Sequence, residues 1–338
     1  MISPFVEMTA FESIVINPLN ILMFLSTPIT FIIYQLQLIK NGSNRMQSKL
    51  RRFIQSSFLA LLVTSFSSTV LSAPKALMFS AIPDQDQTQL IKRFAIVADY
   101  LSTKLGIPVK YIPVKSYSAA ITAFRNNQIQ LAWFGGLSGV RARLLVPGSE
   151  AIAQGLEDTE FHSYFIAHHS TGLQASKDFP KNISDKTFTF GSKGSTSGRL
   201  MPEFFIRENL KKPPNEVFKR VGFSGNHSRT IALVQTGAYQ VGATNYKVWE
   251  KEMKAGKIDS SKVSVIWKTP AYPDYQWTIR GDVDQFWGEG FKTRVQQALL
   301  EIKDPALLKS FPRSGFIKAS NNDYQPILET ARKIGLID

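Results

Sequence analysis

The sequence predicts a two-lobed α/β protein. Three observations lead there. The chain has 338 residues, more than one small core needs. From Leu77 onward, short apolar strands alternate with amphipathic helical stretches. Two extended segments, Tyr164–His168 and Thr269–Tyr275, read as crossovers that carry the chain out of a first lobe and back. The expected division is 74–167 with 271–338 in lobe 1 and 168–270 in lobe 2.

Leu77–Ile82 reads as a buried strand ended by Pro83-Asp84. Leu90, Ile91, Phe94, Val97, Ala98 and Leu101 then recur at helical spacing up to Gly106, a helix stop. Strands are expected at Val109–Val114, Leu131–Phe134 and Ala151–Gln154, with helices at Tyr117–Arg125 and Leu137–Val146. The second set has strands at Thr187–Phe190, Phe218–Phe223, Gln240–Thr244 and Val263–Trp267. Its helices are Leu200–Asn209, Ser228–Thr236 and Val248–Lys254. Phe291–Ile302 and Tyr324–Ile334 close the chain as helices. Repeated βα units of this kind imply mostly parallel sheets flanked by helices.

The N-terminus reads as an address. Met46–Arg52 is short and basic, Phe53–Val70 is mostly apolar, and Leu71-Ser-Ala73 offers a small residue before Pro74. That is the layout of a secretory signal peptide, residues 46–73, cleaved after Ala73 into the periplasm. The Ser and Thr residues within it make a permanent membrane anchor less suitable. Residues 1–45 contain a second apolar run and are expected to be an upstream extension read from a wrong start codon.

The chain has no cysteine, which excludes disulfides, thiolate metal sites, a cysteine nucleophile and lipid attachment through cysteine. Its formal charge of +14 is spread along the sequence, so nucleic acid is not an expected partner. His162, His168 and His169 lack metal-ligand spacing, and no metal or other cofactor is expected.

The densest polar segment is Gly191-Ser-Lys-Gly-Ser-Thr-Ser-Gly198, placed between a strand and a helix. A helix start offers unpaired N–H groups and a positive dipole end, Ser195, Thr196 and Ser197 add hydroxyl donors, and glycines admit close approach. The segment fits neither a G-x-S-x-G nucleophile elbow nor a P-loop, so anion binding rather than catalysis is expected. His227 lies at another strand-to-helix turn and is a candidate donor whose protonation would favour a dianion. Tyr117 at a helix start, Phe134 as a wall, and Asn245 after a strand are further candidates.

These residues carry a resemblance. The chain is similar to the periplasmic phosphonate-binding proteins of ABC transporters, a group that also takes phosphite, from about Leu77 to about Ile334. The similarity rests on Val114-Lys-Ser-Tyr117, Leu131-Ala-Trp-Phe-Gly-Gly136, Gly194-Ser-Thr-Ser-Gly198, Gly222-Phe-Ser-Gly-Asn-His227 and Gly237–Asn245. Ala81-Ile-Pro-Asp84 and Tyr272-Pro-Asp-Tyr275 resemble a subgroup labelled as selenate binders. The resemblance implies a type II periplasmic-binding fold. It also implies reversible capture of a small tetrahedral oxyanion, of the phosphonate, phosphite or phosphate class, by a monomer that docks on ABC permease subunits. A selenate- or sulfate-type binder, or the sensing module of a receptor kinase, is the alternative. Tyr117, Ser195, Thr196, Ser197 and His227 match the ligand-holding positions. Two departures stand out: Phe134-Gly135-Gly136 replaces a Tyr-Gly-Pro, and Tyr275 falls where amine-binding relatives carry an acid. Both point away from amine-bearing phosphonates.

Overall fold

The structure, a computed structural model, describes residues 75–338. The expected signal peptide and upstream extension lie outside the described residues. Among the described residues no helix is long and apolar enough to cross a membrane.

Lobe 1 begins with β1 (Leu77–Ala81), α1 (Gln87–Leu105), β2 (Val109–Tyr111), α2 (Tyr117–Arg125), β3 (Leu131–Phe134), α3 (Gly136–Leu145) and β4 (Glu150–Gly155). Local chemistry sets these boundaries. The Asp86 carboxylate caps α1 by accepting from the Thr88 and Gln89 N–H groups, and Gly106 ends it at φ 67°. Ser116 caps α2 through the Ala119 N–H.

Lobe 2 contains β5 (Ser163–His168), β6 (Thr187–Phe190), a π turn (Thr196–Leu200) that runs into α4 (Met201–Leu210), α5 (Pro214–Val217), β7 (Arg220–Phe223), α6 (His227–Gln235), β8 (Val241–Asn245), α7 (Tyr246–Lys254) and β9 (Val263–Lys268). The chain then returns to lobe 1 as β10 (Gln276–Ile279), α8 (Val283–Trp287), α9 (Phe291–Leu300), α10 (Pro305–Ser310), β11 (Phe316–Lys318) and α11 (Gln325–Lys333).

Two sheets result, ordered β11-β4-β10-β3-β1-β2 and β7-β6-β8-β5-β9. They are mixed rather than mostly parallel. β1 pairs parallel with β2 and β3, but the returning β10 inserts antiparallel between β3 and β4. In lobe 2, β5 runs antiparallel to both β8 and β9. The segment expected to be the first crossover, Tyr164–His168, is therefore an interior strand of lobe 2. The passage lies earlier, at 156–162, and the return runs through 269–275, close to its expected place. The two passages touch as an isolated antiparallel bridge, Phe161 to Tyr272. They are also pinned by the Asp274 N–H on the Asp158 carbonyl, and by a buried bidentate ion pair from Arg313 to Asp158 at 2.7 Å for each bond. Burying two charges this way is not a large net stabiliser, but it fixes geometry, because losing either partner strands the other charge.

The core of lobe 1 is aromatic: Phe79, Phe94, Trp133, Trp277 and Phe311 pack in mutual edge-on and tilted contacts. Phe165, Phe188, Ile206 and Val241 are buried in lobe 2. Each such side chain contributes roughly 1.5–3 kcal/mol on burial, so each lobe has its own core to hold it rigid.

Candidate functional site

The polar residues singled out in the sequence meet where the lobes close on each other. Tyr117, Ser195, Thr196, Ser197, His227, Asn245 and Tyr275 are all buried, and Asp84 and Asp274 join them. None of the nine is more than 4% exposed, unusual for so many polar groups at one place.

The helix start divides its labour. The Ser195 Oγ accepts from the Gly198 N–H at 2.9 Å and acts as the cap. The Thr196 Oγ1 accepts from the Leu137 N–H at 3.0 Å, a bond between lobes. The Ser197 hydroxyl is buried near Asp274 and makes no well-formed hydrogen bond. A methyl group on Gly198 would sit 3.0 Å from both His227 Cε1 and Ser195 Oγ, and one on Gly194 would sit 3.1 Å from Tyr117 Cβ. Glycine at these positions is what lets the loop, the histidine and the tyrosine come together.

His227 opens α6, with Asn226 as cap. Its Nδ1 accepts from the Asn245 N–H at 3.1 Å, and the His227 backbone N–H donates to the Asp84 carbonyl at 3.0 Å. Nδ1 is thus the bare nitrogen and Nε2 carries the proton. Nε2–H is a buried donor without a protein partner. Burial pushes the His227 pKa down to about 4, against the upward pull of Asp84. The expectation of a protonated histidine is overturned: a second proton would have to displace the Asn245 N–H, and the ring works as a neutral donor.

Tyr117 Oη is likewise buried and unpartnered, and burial, reinforced by Asp84, raises its pKa well above the usual range, so it stays a donor. Tyr275 and Asn245 are occupied within the protein. The Tyr275 hydroxyl donates to Asp84 Oδ2 at 3.0 Å and accepts from Asn245 Nδ2 at 2.9 Å. Asn245 Oδ1 caps α7 through the Lys247 and Val248 N–H groups. These two residues join the lobes and set the angle of His227. Phe134 stands apart: its ring packs edge-on against Phe124, 5.7 Å away, inside the core of lobe 1. The reach into the cleft expected of Phe134 belongs instead to Gly135 and Gly136, which lie against Asp274 and Thr196.

Asp84 and Asp274 were not predicted as site residues. Asp84 follows β1, and its Oδ1 is buried without a partner. Asp274 Oδ1 accepts from the Gly136 N–H at 2.9 Å, while Oδ2 has no donor placed on it. Burial pushes the Asp274 pKa up to about 7, against the lowering effect of the Gly136 N–H and the Thr196 and Ser197 hydroxyls. An acidic group therefore does stand at the return passage. The departure read at Tyr275 no longer argues against amine-bearing phosphonates. The sequence signals were present in Pro83-Asp84 and Pro273-Asp274, each an acid just after a proline at the end of an extended run.

Two of the three histidines discounted as metal ligands make local contacts. His162 Nδ1 contacts the Thr269 carbonyl and His168 Nδ1 contacts Ser170. Among the described residues no three His, Asp or Glu side chains form a metal-holding group.

Two lobes, two touching passages and a buried polar cluster between the lobes define a type II solute-binding clamp. The comparisons with known proteins agree. Residues 79–324 match the family of periplasmic substrate-binding proteins of phosphonate ABC transporters. The chain is 43% identical over 295 residues to the probable ABC transporter phosphite binding protein PhnD1 of Prochlorococcus marinus (strain MIT 9301), covering 85% of this chain and 99% of that one. The solved structure of that PhnD1 in complex with methylphosphonate superposes with a TM-score of 0.75, covering 78% of this chain and all of the other. A binding component of a phosphonate ABC transporter from Pseudomonas aeruginosa, 20% identical, shares the fold at a TM-score of 0.67 over 77% of this chain and 86% of its own. The Escherichia coli (strain K12) phosphonates-binding periplasmic protein is 25% identical over 257 residues, 70% of this chain and 74% of its own. The chain belongs to the phosphonate-type periplasmic substrate-binding family of ABC transporters. It is a binding protein, not an enzyme, and its place is the periplasm.

Proposed function

We propose that this chain captures a small tetrahedral oxyanion that still carries a proton, of the phosphonate, phosphite or phosphate class, for its ABC permease. The observation that carries the reading is the pairing of unpartnered buried groups. Ser197 Oγ, Tyr117 Oη and His227 Nε2 are donors; Asp84 Oδ1 and Asp274 Oδ2 are acceptors. The donors suit the oxygens of an oxyanion, and the acceptors suit a P–OH group. Selenate and sulfate have no such proton near neutral pH, so they would leave Asp84 facing like charge and would require Asp274 to take up a proton itself. PhnD1, 43% identical, was solved with methylphosphonate, which supports the same class.

Capture follows from closure. The bonds that join the lobes run from His227 N–H to the Asp84 carbonyl, from Leu137 N–H to Thr196 Oγ1, and from Asn245 to Tyr275. A ligand touching donors of lobe 2 and acceptors of lobe 1 and the return passage binds the closed form better and shifts the population toward it. All these groups come from one chain, so a monomer suffices to build the site. Export is assigned to segment 46–73 with cleavage after Ala73; N-terminal sequencing of exported protein should read from Pro74, and an intact Met1 contradicts it.

Calorimetric titration of the protein beginning at Pro74 with methylphosphonate, phosphite and phosphate tests the reading. At least one should bind with one-to-one stoichiometry. No saturable heat from any of the three contradicts it.

A further inference from the structure

We infer that a second anion site, separate from the cleft, lies in a cavity of about 620 Å³ between the lobes and takes a compact multivalent anion such as a short chain of linked phosphates. Arg141 on α3 forms its lobe 1 side, and Lys193, Arg199, Glu203, Arg207 and Phe223 line the lobe 2 side. That is four cations against one carboxylate. Glu203 is buried and already shared, 2.5 Å from Arg199 and 2.7 Å from Arg207. Among the described residues neither Arg141 nor Lys193 has an acidic partner.

These cations are held in place rather than waving in solvent. A terminal nitrogen of Arg141 donates to the Leu336 carbonyl at 2.7 Å. The Arg199 guanidinium lies over the Phe190 and Phe223 rings, 4.7 and 4.9 Å from their centroids, and the Lys193 ammonium is 5.3 Å from that of Phe223. Burial holds Arg199 below its usual pKa, and Arg207 and Arg141 add like-charge pressure to that. An ordinary solvated face disperses its charges. Here pre-positioned guanidinium groups from two lobes converge on one concave space, the arrangement that suits phosphate oxygens.

The cavity gathers four cations around one carboxylate, apart from the hydroxyl, imidazole and carboxyl groups of the cleft. Because Arg141 and the other cations come from different lobes, closing the clamp brings like charges together, and an anion between them relieves the repulsion. Occupancy therefore favours closure and raises affinity for the cleft ligand. That coupling rests on the function proposed above; the anion site does not.

Sodium tripolyphosphate is the probe, too large for the enclosed cleft. At low ionic strength, calorimetry on the protein without cleft ligand should show saturable one-to-one binding. Arg141→Gln and Lys193→Gln should each weaken it roughly tenfold, while Arg141→Gln leaves methylphosphonate affinity within about twofold. Saturating methylphosphonate should leave tripolyphosphate binding intact or tighter. Absence of saturable binding, affinity unchanged from wild type in either variant, or displacement by methylphosphonate overturns the inference. Tripolyphosphate binding in a protein that ignores methylphosphonate would instead remove the cleft assignment and leave this site standing.

Discussion

The two walls of the cleft face the same ligand with opposite chemistry. Lobe 2 presents donors, the hydroxyl of Ser197 and the Nε2–H of His227, with Tyr117 adding one from lobe 1. Lobe 1 and the return passage present acceptors, Asp84 and Asp274. Donors alone would take any tetrahedral oxyanion. A buried acceptor opposite them asks for a proton in return, because an unpaired carboxyl facing an anion costs far more than an unpaired hydroxyl. Affinity is thus written on one wall and selectivity on the other.

Damage to the helix start at Thr196 and Ser197 should show the largest loss of affinity. Thr196→Val removes a hydroxyl beside Asp274 and leaves the Leu137 N–H without its partner, so methylphosphonate binding should fall about a hundredfold by calorimetry. Ser197→Ala deletes a buried hydroxyl near Asp274 that makes no well-formed hydrogen bond within the protein. It should lose about tenfold with the fold intact, and unchanged affinity would take Ser197 off the donor wall.

The two walls also respond oppositely to pH. The His227 pKa falls from 6.5 to about 4 on folding, so the folded protein binds fewer protons there. The stability it contributes is complete above 6.5, declines as pH falls below that, and levels off under about 4. Asp274 rises from 3.8 to about 7, so its contribution is complete below 3.8 and is lost as pH rises through about 7. Between pH 4 and 6.5 thermal stability should therefore rise with pH in Asp274→Asn and fall with pH in His227→Gln, with wild type between the two. Identical slopes in wild type and His227→Gln would place the histidine outside the buried cluster.

The smallest effect belongs to Tyr275, which joins the walls away from the free donors. Tyr275→Phe removes the bond to Asp84 and the acceptor for Asn245 without touching a free donor. Affinity should drop only a few-fold, about 1 kcal/mol for a neutral hydrogen bond. Small-angle scattering should show a larger radius of gyration without ligand than for wild type. A loss as large as that of Thr196→Val would move Tyr275 from the latch to the ligand.

Much of this was legible in the sequence. The helices announced themselves by apolar spacing and stops, as with Leu90 to Leu101 and Gly106 in α1. The Ser195–Gly198 cluster and His227 stood out because hydroxyls and glycines gathered at strand-to-helix turns. Long-range pairing stayed hidden. β5 looks the same locally whether it crosses between lobes or lies inside a sheet, and only its pairing with β8 and β9 decides. β10 carries Gln276 and Thr278, both buried, so its polar composition disguised an interior strand. The role of His227 turned on a backbone N–H eighteen residues away. Asp84 and Asp274 were visible but unremarkable until folding set them opposite the donors.

The most direct measurement is the affinity ratio of methylphosphonate to selenate, by calorimetry near neutral pH, in wild type and in Asp274→Asn. Selenate matches the tetrahedral shape but brings no proton. Wild type should prefer methylphosphonate by at least about a hundredfold, the cost of leaving a buried acceptor facing like charge. Asp274→Asn, which turns an acceptor into a donor, should shrink or invert that ratio. Selenate binding as tight as methylphosphonate in wild type, or a ratio unmoved by the substitution, would contradict the division of the cleft into a donor wall and an acceptor wall.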